Sequence, residues 1–277
     1  MDLGIADKVA FVAGGSKGIG FEAARQLAAE GCRVAVVARD RGGIDAALEQ
    51  IRAAGGEAIG VSADLVDGQG VDAAVAEVTE RLGQPDIVVG QTNDLTFGRF
   101  PDVPPAEFEK VFRIFTMAQV HLAYATVPAM RARKWGRYIH IGSTNGKEAQ
   151  LTHPTLIHNT VRPSTVAFLR VMANEVAGDG VTVNVVAPGL TMTPTLKSYI
   201  ANGLKLDPEG GRAWLRDEFP EGLPAPHGVQ GPPRIPMKRA GEPEEAGSLV
   251  TYLASRQAGY ITGMWIAVDG GKHAFTF

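Results

Sequence analysis

Seven short apolar runs recur along this chain: Val9–Ala13, Val34–Ala38, Ala58–Val61, Ile87–Gly90, Tyr138–Ile141, Val181–Ala187 and Met264–Val268. They are continuous, without polar alternation, as strands are when helices cover both faces of a parallel sheet. Between them, Gly20–Ala29, Ile44–Ala53, Val71–Arg81, Pro105–Arg131, Ser164–Ala177 and Pro243–Ala254 have helical composition, the last opening with a proline suited to a first turn. Parallel neighbours need crossovers of one hand, which leaves few topologies. The pattern predicts one α/β domain over residues 1–277: a doubly wound, seven-stranded parallel sheet flanked by helices.

The first run leads into Gly14-Gly15-Ser16-Lys17-Gly18-Ile19-Gly20 and then a helix. Glycines let the backbone turn sharply and approach a diphosphate, and a helix N-terminus offers free N–H groups and positive potential. This placement after a first strand predicts a Rossmann-like dinucleotide site. Lys17 lies inside the turn, and Arg39 ends the second strand about 20 residues further on, where an acid would suit free ribose hydroxyls. Two cations there suit a 2'-phosphate, so NADP is expected over NAD, although Asp40 beside Arg39 pulls the other way. Asp64, after the third strand, is a candidate acceptor for the adenine amine.

Charge and cysteine content remove several other classes. With 27 Lys plus Arg against 30 Asp plus Glu, the net charge is -3, unlike the basic surface that nucleic-acid binding needs. The single cysteine, Cys32, reads as core filler and fits a reducing compartment. No apolar run approaches the ~20 residues of a membrane span, and no signal-peptide pattern opens the chain. A cytoplasmic protein without membrane or nucleic-acid partners is expected. No Cys/His/Asp cluster has zinc spacing, so no metal is expected. Residues 191–238 differ in texture, with six glycines and eight prolines, and read as a long lid over the substrate side within the same domain.

The chain resembles the short-chain dehydrogenase/reductase family, particularly its ketoacyl-reductase-like branch, over nearly its whole length. The residues carrying the likeness are the Gly14–Gly20 turn, Asp64, Ser143 in His140-Ile141-Gly142-Ser143, Val183–Gly189 with Thr191 and Thr193 behind it, Tyr260–Gly263 and Val268–Gly271. The resemblance implies a catalytic role for Ser143. It also implies cofactor contacts from Gly14, Ser16, Lys17, Gly18, Ile19, Gly20, Arg39, Asp64, Pro188, Gly189, Thr191 and Thr193, and a homo-tetramer or homo-dimer. Gln91, Phe115 and His153 are expected on the substrate side.

The departures are specific. In the family register His158 stands at the tyrosine position, Arg162 at the lysine position and Phe115 at the helix asparagine. Gly90-Gln91-Thr92-Asn93 replaces the Asn-Asn-Ala-Gly segment, and Ala13 replaces the usual threonine. Residues four apart share a helix face, so His158 and Arg162 can address one cleft. Imidazole titrates near neutral pH and a guanidinium can grip ribose or a carboxylate. Three functions stay open on these residues. One is an oxidoreductase moving hydride between NADP(H) and a small carbonyl or hydroxyl compound, with His158 as acid/base. The second is a lyase or isomerase abstracting a proton beside a carbonyl. The third is a non-catalytic nucleotide-binding protein. Pro163, at an interior cost of order 3 kcal/mol, points to a kink or a helix start nearby, which would weaken the shared face and leaves open whether the pair splays. His140, within a strand, reads as packing.

Overall fold

The computed structural model describes residues 2–94, 96–149, 155–198 and 235–273. Its strands are β1 (Val9–Ala13), β2 (Arg33–Ala38), β3 (Ala58–Ser62), β4 (Ile87–Gly90), β5 (Gly136–Ile141), β6 (Val181–Pro188) and β7 (Trp265–Val268), and they form one parallel sheet in the order β3-β2-β1-β4-β5-β6-β7. Its helices are α1 (Gly18–Ala29), α2 (Arg41–Ala53), α3 (Gly68–Leu82), α4 (Pro105–Phe112), α5 (Ala118–Ala132), α6 (Leu156–Val176) and α7 (Pro243–Ala254), with residues 194–198 also helical. The fold is the single Rossmann-like α/β domain expected from the apolar runs.

Alternate strand residues face opposite layers. Ala10, Val12, Val34, Val36, Ile139 and Ile141 pack with α1, α2 and α7. Val9, Phe11, Ala35, Val37, Tyr138 and Val183 pack with α3, α5 and α6. Burying an aliphatic or aromatic side chain of this kind stabilises by about 1.5–3 kcal/mol relative to exposure, which explains why the strand interiors are mostly apolar. Cys32 is part of this packing at 1% exposure, and burial pushes its thiol up to about 12, so it stays an inert thiol.

Two helical segments depart from the sequence reading. The stretch expected as one helix over Pro105–Arg131 contains a π turn at Arg113–Met117 with Phe115 at its centre. Single π turns inside helices commonly mark functional sites. α6 starts eight residues earlier than the expected Ser164 and passes through Pro163 without ending. Packing outweighs the proline penalty: Ile157 and Val161, from the turn before Pro163, join Val103, Val111 and Phe115 in a separate buried cluster. Thr116 hydroxyl contacts to Ser164 (2.8 Å) and Thr165 (3.0 Å) tie the π turn to the residues just after the proline.

The strand order reverses between β1 and β4, and a crevice opens at the carboxyl ends of such a switch point. Both the glycine turn and the segment after β4 emerge there.

Candidate active site

The glycine turn is packed too tightly for side chains. A Cβ on Gly20 would lie 2.3 Å from the Gly14 carbonyl oxygen and 2.5 Å from Gln91 Oε1. Gly14 itself has φ +69°, a conformation that favours glycine. Thr193 arrives from beyond β6, and its Cγ2 would stand 3.3 Å from a Cβ at Gly18, so the far end of the sheet closes onto the turn. Thr191 Oγ1 donates to the Gly189 carbonyl at 3.3 Å and its backbone bridges to Gly241, which fixes the segment after Pro188. Ser16 lies beside Gly43 at the start of α2. Ile19 is buried in the layer beneath. These residues form a cradle open at the α1 N-terminus, which fits a dinucleotide diphosphate.

Asp40 caps α2, its carboxylate accepting from the Gly43 N–H at 3.1 Å. It is therefore occupied, whereas exposed Lys17 and Arg39 have no ion pair among the described residues. Arg39 and Asp64 line a cavity of about 450 Å³ together with Val66, Lys110 and Arg113. Asp64 Oδ1 accepts from the Val66 N–H at 3.1 Å, so only part of the carboxylate remains open.

On the other side of the crevice, Ser143 caps the short 3-10 turn Thr144–Gly146 after β5. Its Oγ donates to Asn145 Oδ1 at 3.1 Å, and Asn145 Nδ2 donates to Asn159 Oδ1 at 2.7 Å. The serine is thereby linked to α6 one residue from His158. Neither asparagine was picked from the sequence, where a Ser-x-Asn triplet was the only available hint.

His158 and Arg162 do meet, despite Pro163. The Nε of Arg162 donates to His158 Nδ1 at 3.4 Å. In the neutral ring this places the proton on Nε2, which is buried and, among the described residues, has no hydrogen-bond partner of regular geometry. The imidazole is 4% exposed and in contact with the rings of Phe97 (centroids 5.0 Å apart) and Phe115 (5.7 Å). Burial, aided by the Arg162 charge, lowers its pKa to about 4; Asp94 and the nearby Thr96 backbone oppose this. Burial also lowers Arg162 to about 10, against the pull of Asp94. The imidazole is neutral and the guanidinium charged at pH 7. Asp94 and Phe97 carried no signal in the sequence; they reach the site only because the loop after β4 folds over α6, with Gly98 bridged to Thr155.

The expected substrate-side residues are placed differently. Phe115 is 1% exposed and lies beneath Arg162 and His158, a floor for them and not an open contact. Gln91 turns its side chain into the glycine turn beside Gly20, away from the substrate side. His153 falls outside the described residues, as do residues 199–234 of the expected lid. His140 is in the packing as expected, its Nδ1 2.9 Å from the Gly90 carbonyl, and burial lowers it to about 4. Tyr138 is no substitute proton donor: it is fully buried and donates to the Gln119 backbone carbonyl (3.2 Å) and Oε1 (3.0 Å).

Among the described residues no group of acids, histidines and cysteines could hold a metal ion, and no helix is long and apolar enough to cross a membrane. The short chain dehydrogenase profile matches residues 8–202, and that of the enoyl-(acyl carrier protein) reductases matches residues 230–273. Versicolorin reductase 1 of Aspergillus parasiticus is 32% identical over 272 residues, 95% of each chain. The L-sorbose reductase of Gluconobacter frateurii, solved with NADPH and L-sorbose, is 29% identical with a TM-score of 0.86, covering 99% of this chain and 100% of its own. An actinorhodin polyketide ketoreductase variant with NADPH is 29% identical with a TM-score of 0.85, covering 97% and 98%. The chain belongs to the short-chain dehydrogenase/reductase family.

Proposed function

We propose that this protein is an NADPH-dependent reductase of small carbonyl compounds in which His158 and Arg162 act where the family uses tyrosine and lysine. The observation that carries the cofactor choice is that Lys17 and Arg39 are exposed and have no ion pair among the described residues, while Asp40 caps α2. The cradle of Gly14, Gly18 and Gly20 with Thr193 would hold the diphosphate. Lys17 and Arg39 would hold the 2'-phosphate, Asp64 the adenine, and the Pro188–Gly189 segment the nicotinamide side. The bound cofactor supplies hydride.

The protein's own groups handle the substrate oxygen. Neutral His158 presents Nε2–H to that oxygen and stabilises the negative charge that develops on it as hydride arrives, and solvent water at the crevice mouth gives up the proton that completes the alcohol. Ser143, fixed by Asn145, orients the same oxygen. Phe97, at 36% exposure, covers the imidazole, so substrate reaches Nε2 once that ring is displaced. A base whose conjugate acid has a pKa of about 4 is weak against a C–H bond, which counts against the lyase or isomerase reading.

Titration with NADPH and with NADH, followed by fluorescence or calorimetry, tests this reading. The expected result is tighter NADPH binding and carbonyl-dependent loss of the reduced-nicotinamide absorbance. Equal affinity for NADH, or turnover indifferent to nucleotide, would overturn it.

A further inference from the structure

Arg162 is gripped from behind and open in front. Its Cζ lies 4.1 Å from the centroid of the Phe115 ring, and its Nε is turned to His158 at 3.4 Å. These contacts fix the plane and rotation of the guanidinium. Among the described residues its two terminal nitrogens have no hydrogen-bond partner, and no carboxylate forms an ion pair with it. Asp94 is near enough to act through its field, but that carboxylate accepts from the Thr96 N–H at 2.7 Å and has Lys110 at 4.0 Å. The side chain is half-buried, so the guanidinium edge meets the crevice.

A charge so placed, without a counter-ion, costs free energy that an anion in the crevice would recover. A planar fork with parallel N–H groups matches a carboxylate bidentately. We propose that the substrate is a small oxo acid whose carboxylate is held by Arg162, an inference that rests on the cleft being a carbonyl-reducing site. A monoanion balances the single charge, whereas a phosphate dianion would bring a surplus toward Asp94. Because the guanidinium and the imidazole touch, the anchored carboxylate and the reacting carbonyl belong to adjacent parts of one molecule, as in 2-oxo and 3-oxo acids. Held in this way, the carbonyl is aimed at Nε2 of His158 by its neighbour's charge. The alternative, that Arg162 grips only neutral ribose hydroxyls, leaves its charge unbalanced.

The experiment compares matched acids and esters: benzoylformate with methyl benzoylformate, and acetoacetate with methyl acetoacetate. Binding to the NADP-saturated protein is measured by calorimetry, and NADPH oxidation is measured in parallel. At least one acid is expected to bind roughly tenfold tighter than its ester, the scale of one charge-assisted pair. Arg162→Met should erase that margin with NADPH affinity retained, and Arg162→Lys should keep part of it. Equal binding of acid and ester in the wild-type protein overturns the inference, and that comparison needs no folded variant. So does a margin that survives in Arg162→Met, or a variant that loses NADPH affinity and keeps the margin. Tight acid binding with no NADPH oxidation supports the carboxylate site while the reductase reading falls. Oxidation driven equally by acid and ester does the reverse.

Discussion

The ring of Phe97 lies 5.0 Å from that of His158, tilted 48° to it, and Phe115 meets the same imidazole edge-on at 5.7 Å. Phe97 is one of the rings that keep the imidazole from water, and burial is the largest cause of its lowered pKa. The contact joins a loop after β4 to a helix some sixty positions further along the chain.

Phe97→Ala should therefore wet His158 and move its pKa from about 4 back toward the ordinary 6.5. Histidine ring signals followed by NMR across pH would report the change. An unchanged pKa would show that the cover is not what desolvates the ring.

Acid should weaken the fold over a defined window. His140 and His158 are both lowered from 6.5 to about 4 by burial. Above 6.5 both states keep these rings neutral and the fold has its full stability. As pH falls from 6.5 toward 4 the unfolded chain takes up protons that the folded chain refuses, so stability is lost, and the loss levels off below about 4. Each ring would contribute about 3 kcal/mol of loss, at 1.36 kcal/mol per pKa unit. Denaturant midpoints measured from pH 7 to pH 4 should fall accordingly, and less steeply in His140→Asn than in the parent. A flat profile would contradict the burial of both rings.

Arg39→Asp should reverse the nucleotide preference. It removes a cation facing the 450 Å³ cavity and adds an acid suited to free ribose hydroxyls. A charge-assisted contact worth about 1.5–3 kcal/mol corresponds to roughly a 10- to 100-fold loss of NADPH affinity. NADH affinity should hold or rise. Parallel losses for both nucleotides would mean the side chain does not read the 2'-phosphate.

Gly20→Ala should abolish nucleotide binding before it unfolds the protein. The added methyl would meet the Gly14 carbonyl at 2.3 Å, a backbone atom that cannot step aside without reshaping the turn. Calorimetry should detect no nucleotide binding, while circular dichroism keeps its helix and sheet signal. Retained affinity would refute the close packing of the turn.

The seven apolar runs were enough to define the sheet, because a strand buried on both faces must be largely apolar, and that pattern is local. The glycine turn was legible for a similar reason: sharp turning and close approach restrict residue type at each position. Helix starts were less legible. Residues Leu156–Arg162 lie in α6 although Pro163 argues against it, because a buried cluster made with Val103, Val111 and Phe115 stabilises that turn from outside the helix.

At the site, sequence alone determined which chemical groups are available: an imidazole and a guanidinium four residues apart, a serine after the fifth strand and cations at the nucleotide turn. Tertiary structure decided their state. Whether His158 is charged, which of its nitrogens holds the proton, and whether Arg162 has a counter-ion all depend on Phe97, Phe115 and Asp94. Those residues are remote along the chain, and desolvation and Coulomb forces act through space, so no local pattern in the sequence records them.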